Sequence, residues 1–179
     1  MKHILKIFIL LIGFVLYFNA NSFANIDIGN YGGYVISGDD GYDDFTGTQF
    51  GTKAHYNIQL SSSIDLGLGA FFQYSSYEFD DGYGKLLRGA LGVDVNLIFS
   101  TSAESDFYPY VRGTYSFSDT LWSNFSGWGI GGGIEYAISP NLSLFTEFMY
   151  EKGNNEYWWG DIDVTAMAIN VGVKNLILM

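Results

Sequence analysis

The stretch Ile64-Asp-Leu-Gly-Leu-Gly-Ala-Phe-Phe-Gln-Tyr-Ser-Ser76 decides the fold. Read in steps of two, one parity is Ile64, Leu66, Leu68, Ala70, Phe72, Tyr74. The other is Asp65, Gly67, Gly69, Phe71, Gln73, Ser75. Side chains of a strand point alternately to opposite faces, so a two-residue period means a strand with one apolar side.

Working outward, the same split recurs seven more times. Phe50, Ala54, Tyr56, Ile58 and Leu60 alternate with Gln49, Gly51, Lys53, His55 and Asn57. Leu87, Leu91, Val93, Val95 and Leu97 alternate with Arg88, Ala90, Gly92, Asp94 and Asn96. Further runs begin near Phe107, Trp128, Leu142 and Thr165, and a weaker one spans Ile26–Ser37. A soluble sandwich also alternates, but its polar parity faces water and carries many Lys and Glu. Here the polar parity is rich in glycine with single scattered charges, and the apolar parity is almost free of charge. That arrangement suits lipid outside and a narrow, side-chain-filled middle. The expected fold class is all-β: an eight-stranded antiparallel transmembrane up-and-down β-barrel. Backbone groups cannot stay unpaired in hydrocarbon, so the sheet must close, with Ile26–Ser37 pairing Ile162–Asn175.

Composition agrees. The chain has 179 residues, 23 Gly, 14 Tyr and 15 Phe, only 2 Pro, and no Cys, which removes disulfide and thiolate chemistry. Its formal charge is −11 with 8 Lys+Arg, which argues against nucleic acid as a partner. The start, Met1-Lys-His-Ile-Leu-Lys6, then an apolar run from Ile7 to Phe18, then Ser22-Phe-Ala24, has the three regions of a secretory signal. The run is shorter than the ~20 residues of a spanning helix. Residues 1–24 are therefore expected to be a signal peptide cut after Ala24, and 25–179 the barrel domain. Losing Lys2 and Lys6 leaves 6 bases against 19 acids.

The connections alternate in length. Gly38–Phe45, Tyr77–Lys85, Ser118–Phe125 and Lys152–Gly160 are long and rich in Gly, Asp and aromatics. Ser61–Ser63 and Ser139–Asn141 are tight, and Ser100–Asp106 is intermediate. Short inner turns and longer outer loops are the habit of outer-membrane barrels. Trp122, Trp128, Trp158 and Trp159, joined by Tyr74, Tyr77, Tyr83 and Tyr150, are expected to form an interfacial girdle at the outer end. Phe99, Phe107 and Tyr136 serve the inner rim.

With these residues in place, the chain resembles the OmpA/OmpX-like small outer-membrane β-barrels. The resemblance is carried by Phe107-Tyr-Pro-Tyr-Val-Arg-Gly113, Gly131-Gly-Gly-Ile-Glu-Tyr136 and Leu142-Ser-Leu-Phe-Thr-Glu-Phe-Met-Tyr150. It departs at Met179, where such barrels usually end on an aromatic residue. The resemblance implies residence in the outer membrane of a Gram-negative bacterium. It also implies partners: outer-membrane lipid and lipopolysaccharide, the barrel-assembly machinery and periplasmic chaperones, and host or cell-surface ligands at the loops.

The inward parity collects Lys53, Arg88, Arg112 and Lys174, with Asp65, Asp94, Glu135 and Glu147. Counting from the inner turn puts Asp94 roughly opposite Arg112. Eight strands leave little open lumen, so these charges are expected to form a paired polar plug rather than an ion path. His55, the one histidine after residue 24, faces inward with no serine or acid placed beside it, which suits a structural histidine rather than a catalytic base. Asp39-Asp-Gly-Tyr-Asp-Asp44 lacks the spacing of a calcium loop. Gly127-Trp-Gly-Ile-Gly-Gly132 matches a nucleotide fingerprint in letters but lies in a strand pattern. No catalytic, cofactor or metal residues are assigned. The expected role is structural or surface-interacting, including membrane integrity and adhesion. A small passive pore and a lipid A-modifying enzyme are the alternatives.

Overall fold

The computed structural model describes residues 25–39, 45–79, 85–100, 105–119, 123–157 and 160–178. Eight strands follow in chain order: β1 (Asn25–Asp39), β2 (Phe45–Ser61), β3 (Ile64–Phe79), β4 (Lys85–Phe99), β5 (Phe107–Asp119), β6 (Ser123–Ser139), β7 (Leu142–Tyr157) and β8 (Gly160–Leu178). Each pairs antiparallel with its sequence neighbours, and β1 closes the cylinder on β8 from Asn25↔Leu178 to Asp39↔Val164. The predicted closure holds, in the form Ile28↔Asn175 through Ser37↔Ala166.

The parities fall as the alternation requires. Ile36, Phe50, Leu91, Ile130, Ile169 and Val171 all point outward and are between 44% and 63% exposed. With their neighbours they make a continuous apolar exterior, far beyond the few hundred Å² a soluble monomer exposes. The inward parity is buried. It holds two apolar clusters, Val35–Tyr77–Met149–Ala166–Ala168 and Tyr31–Tyr110–Phe145.

The inner turns are as tight as expected, two residues between β2 and β3 and two between β6 and β7. Each has a register shift beside it, at Gln59/Ser61 and Ala137/Ser139. Backbone hydrogen bonds knit this end: Ser100 N donates to Ser63 O at 2.9 Å, joining two connections, and Ala137 N on β6 donates to Asp106 O at 2.8 Å.

At the other end the strands run further than the composition suggested. Lys152–Gly160 reads as a loop but is mostly strand, pairing from Ser123↔Tyr157 on β6 and up to Tyr157↔Gly160 on β8. Strands of 13 to 19 residues exceed the ~9–11 that a tilted strand needs to cross the hydrocarbon. The excess stands in water, where the outward face no longer has to be apolar. Glu156, Asp161 and Asp163 lie outward there and exposed, and Asn154 Nδ2 donates to Asp163 Oδ1 at 3.3 Å. Gly160 opens β8 at φ +146°, a conformation other residues rarely adopt.

Candidate functional site

Seven of the eight strands deliver a charged side chain to the middle of the barrel. β1 supplies Asp27, β2 supplies Lys53 and His55, β4 Asp94, β5 Arg112, β6 Glu135, β7 Glu147 and β8 Lys174. β3 contributes space instead. A Cβ on Gly69 would lie 2.3 Å from His55 Cδ2 and 2.6 Å from Asp94 Oδ1, so only glycine leaves His55 room between its partners. A Cβ on Gly172 would meet the Phe145 ring at 2.4 Å, so the β8 glycine admits that ring.

The charges link into one chain. Arg112 is the hub: Nη1 donates to Glu147 Oε1 at 2.7 Å, Nη2 lies 2.7 Å from Asp94 Oδ2, and Nε donates to the same oxygen at 2.8 Å. Glu147 also accepts from Lys53 Nζ at 3.0 Å, Tyr110 Oη at 3.0 Å and Asn170 Nδ2 at 3.2 Å. Asp94 continues to His55 Nε2 at 2.9 Å, and His55 Nδ1 reaches Asp27 Oδ1 at 2.8 Å. Asp27 then meets Lys174 Nζ at 3.4 Å, and Lys174 pairs closely with Glu135. Lys53 Nζ sits 4.0 Å over the Phe145 ring. Glu147 and Arg112 are each 2% exposed. Buried charge is tolerated only when paired and hydrogen-bonded, and here each acid meets at least one base.

The sequence expectations map onto this unevenly. Asp94 and Arg112 do pair, though the ladder sets Asn96 opposite Arg112 and Asp94 two residues along. Alternation put no acid beside His55; the structure puts two there, one on each ring nitrogen. The reason is tertiary: Asp27 is on the neighbouring strand β1 and Asp94 on β4 reaches in past Gly69. Asp27, on the inward parity of β1 and 0% exposed, is a further plug charge beyond those the sequence pattern singles out. Tyr110, Asn170 and Gln49, whose Nε2 donates to Asn170 Oδ1 at 2.6 Å, were missed as well. Their only signal was inward parity near a charge. Asp65 is half-buried and outside the chain of pairs, and Arg88 lies apart, stacked 3.4 Å over the Phe125 ring.

In the girdle, Trp128 and Tyr74 face outward at 51% and 41% exposure, and the Trp128 and Tyr150 rings are 6.2 Å apart. Tyr77 does not belong with them. It sits one parity off Tyr74, faces inward, and is 5% exposed in the upper apolar cluster. Trp122, Trp158, Trp159, Tyr83, Asp40–Asp44 and residues 1–24 lie outside the described residues. At the inner rim Phe107 and Tyr136 are an aromatic pair with centroids 4.9 Å apart.

The plug divides the lumen. On one side is a space of about 30 Å³ bordered by Gln49, Gln73, Tyr77, Arg112 and Glu151; on the other, one of about 10 Å³ bordered by Lys53, His55, Asn96, Tyr110 and Lys174. A single water needs ~10–15 Å³ on this measure, so the larger space takes two or three waters and the smaller about one. Both nitrogens of His55 are engaged and its side chain is buried, which leaves no nitrogen to activate a hydroxyl.

A closed sheet, an apolar exterior and a paired ionic interior define a transmembrane β-barrel of the outer-membrane type. Comparison with solved structures places the fold. The chain is similar to neisserial surface protein A (TM-score 0.57, 15% identity, covering 86% of this chain and 97% of that one). Also similar are Ail, the attachment invasion locus protein of Yersinia pestis (0.49, 12%, 87% and 100%), and the N-terminal barrel of Pseudomonas aeruginosa OprF (0.47, 14%, 86% and 97%). No protein-family model matches the sequence, and no curated protein matches it. The likeness is one of fold: the small eight-stranded barrel that the sequence resemblance implied.

Proposed function

We propose that this barrel is a non-catalytic outer-membrane protein with a structural and surface-interacting role, its lumen sealed by the Arg112-centred plug. The observation that carries the reading is the unbroken chain of buried ion pairs from Glu135 to Lys53, flanked by spaces that hold two or three waters at most. A pore needs a wetted path past those groups; a catalyst needs a free base, and His55 is held on both sides. In this reading the eight luminal residues Lys53, His55, Asp94, Arg112, Glu135, Glu147, Lys174 and Asp27 fix the barrel's shape. The protruding β6–β7–β8 wall presents its polar outer surface to neighbouring or host surfaces. Residues 1–24 act as a cleaved export signal, and lipopolysaccharide, periplasmic chaperones and the assembly machinery are the partners of biogenesis and residence.

The test is planar-bilayer conductance of the purified barrel. A sealed lumen gives no steady unitary current; reproducible open channels at neutral pH defeat the reading. Folding is checked by mobility on a gel before and after boiling, and export by sequencing the mature amino terminus, which is expected to begin at Asn25. A lipid A mass shift on overexpression would replace the non-catalytic reading with an enzymatic one.

A further inference from the structure

His55 stands between two acids in the middle of the plug. Asp27 Oδ1 is 2.8 Å from its Nδ1 and Asp94 Oδ2 is 2.9 Å from its Nε2, and all three side chains are buried. A neutral imidazole carries one ring hydrogen and can donate to only one of these oxygens. The other contact would set a bare nitrogen against a carboxylate oxygen, lone pair against lone pair. Both acids are already fixed as carboxylates by other donors. Asp94 Oδ2 accepts from Arg112 Nε at 2.8 Å, and Asp27 Oδ2 accepts from Asn57 Nδ2 at 2.7 Å with Lys174 Nζ 3.4 Å away. The hydrogens in the two contacts to His55 therefore belong to the ring, one on each nitrogen. The side-chain amide of Asn96 also lies 2.9 Å from Nε2, and its carbonyl half, equal in shape to the amino half, is what a hydrogen there selects.

The charges along the chain of pairs point the same way. Its acids are Asp27, Asp94, Glu135 and Glu147, and its permanent bases are Lys53, Arg112 and Lys174. A buried ionic network is tolerated when its charges are matched. One half, Asp94, Arg112, Glu147 and Lys53, is matched by itself. The other half, Asp27, Lys174 and Glu135, is one base short, and His55 is the residue that joins the halves. Every strand around the ring is accounted for among the described residues. β3 offers Gly67 and Gly69, with Asp65 half-buried beyond them. Tyr110 of β5, Glu135 of β6 and Lys174 of β8 border the same small space as His55, and Glu147 of β7 is held by Arg112 and Lys53.

From this geometry we propose that His55 is the fourth cation of the plug, a doubly protonated clasp between its two halves, and that the barrel's stability is switched by the proton on this one ring. Loss of either ring hydrogen turns an attraction into a repulsion and leaves an unmatched negative charge buried. Stability therefore falls as rising pH removes that hydrogen. The clasp holds the wall together and opens no path, because the Tyr31–Tyr110–Phe145 cluster still fills the lumen beside it. The inference rests on the plug reading and adds a proton-dependent lock to it.

The test is nitrogen-15 NMR of the histidine-labelled barrel in lipid nanodiscs, with the His55 signals assigned by their loss in His55→Gln. At neutral pH both ring nitrogens are expected to carry hydrogen; one bare nitrogen overturns the proposal. Urea unfolding in lipid vesicles supplies the second readout. His55→Gln keeps one hydrogen bond but removes the charge, and should lower the midpoint by about 1–2 M, the scale of one broken buried pair. Adding Asp27→Asn to it matches the charges again and should recover about half of that loss or more. An unchanged midpoint in the single variant, or a further fall in the double variant, overturns the proposal, since a histidine that served by shape alone would gain nothing from losing its acid. In wild type the midpoint should fall over the same pH interval in which the ring loses its second hydrogen, and a flat midpoint across that interval also overturns it. If His55→Gln does not fold, the wild-type spectrum and its pH series decide. Planar-bilayer conductance separates the two ideas: open channels at neutral pH defeat the plug, whereas a sealed barrel with a bare nitrogen on His55 refutes the clasp alone.

Discussion

Replacing Arg112 by alanine tests whether the luminal charges are architecture or pathway. The side chain is 2% exposed and spans two acids, with contacts of 2.7 Å to Glu147 and 2.7–2.8 Å to Asp94. Truncation leaves both carboxylates buried. Glu147 keeps Lys53, Tyr110 and Asn170, and Asp94 keeps His55, so neither is stranded completely. Breaking a buried pair by removing one partner costs about 3–5 kcal/mol, and the surviving contacts put the expected loss toward the lower end. Against a total stability of about 5–15 kcal/mol, that is a large fraction. The assay is urea unfolding of the barrel in lipid vesicles, followed by tryptophan fluorescence, alongside planar-bilayer conductance of the same preparation. The expected result is a midpoint that falls markedly while conductance stays near the baseline. Exposed, outward Lys152→Ala serves as the control and should leave both unchanged. A several-fold rise in conductance with stability within about 0.5 kcal/mol of wild type would refute the plug and favour a gated path.

Other outcomes follow from the same geometry. Gly69→Ala drives a methyl into His55 and the Ala54 carbonyl, which a Cβ would approach at 2.5 Å, and should cost about 1–3 kcal/mol in vesicle unfolding. Gly113→Ala, on the outer face with nothing within 4 Å of a built Cβ, should be close to neutral, and equal effects at the two positions would contradict the packing argument. Ile130→Arg puts a charge on a side chain that is 54% exposed to lipid, and should cost about 2–4 kcal/mol if the position is near mid-membrane; a neutral result would mean that this face is wet. Tyr110→Phe removes one of the donors on Glu147 without leaving a cavity, and should cost about 1 kcal/mol, measured the same way.

The sequence determined, by itself, everything that follows from a period of two. Which side chains of Ile64–Ser76 face lipid, the number of strands, and the pairing of first with last all come from parity and from the rule that hydrocarbon permits no free edge. Even the glycines were legible as space on the inner face. Parity also accounts for Tyr77: its odd offset from Tyr74 turns it into the lumen, although it stands among girdle aromatics in the sequence. Reach across the lumen was not legible, because a one-dimensional pattern records direction but not distance. His55 bridging Asp27 and Asp94, separated from it by 28 and 39 residues, depends on strand tilt, on register and on the absence of a Cβ at Gly69.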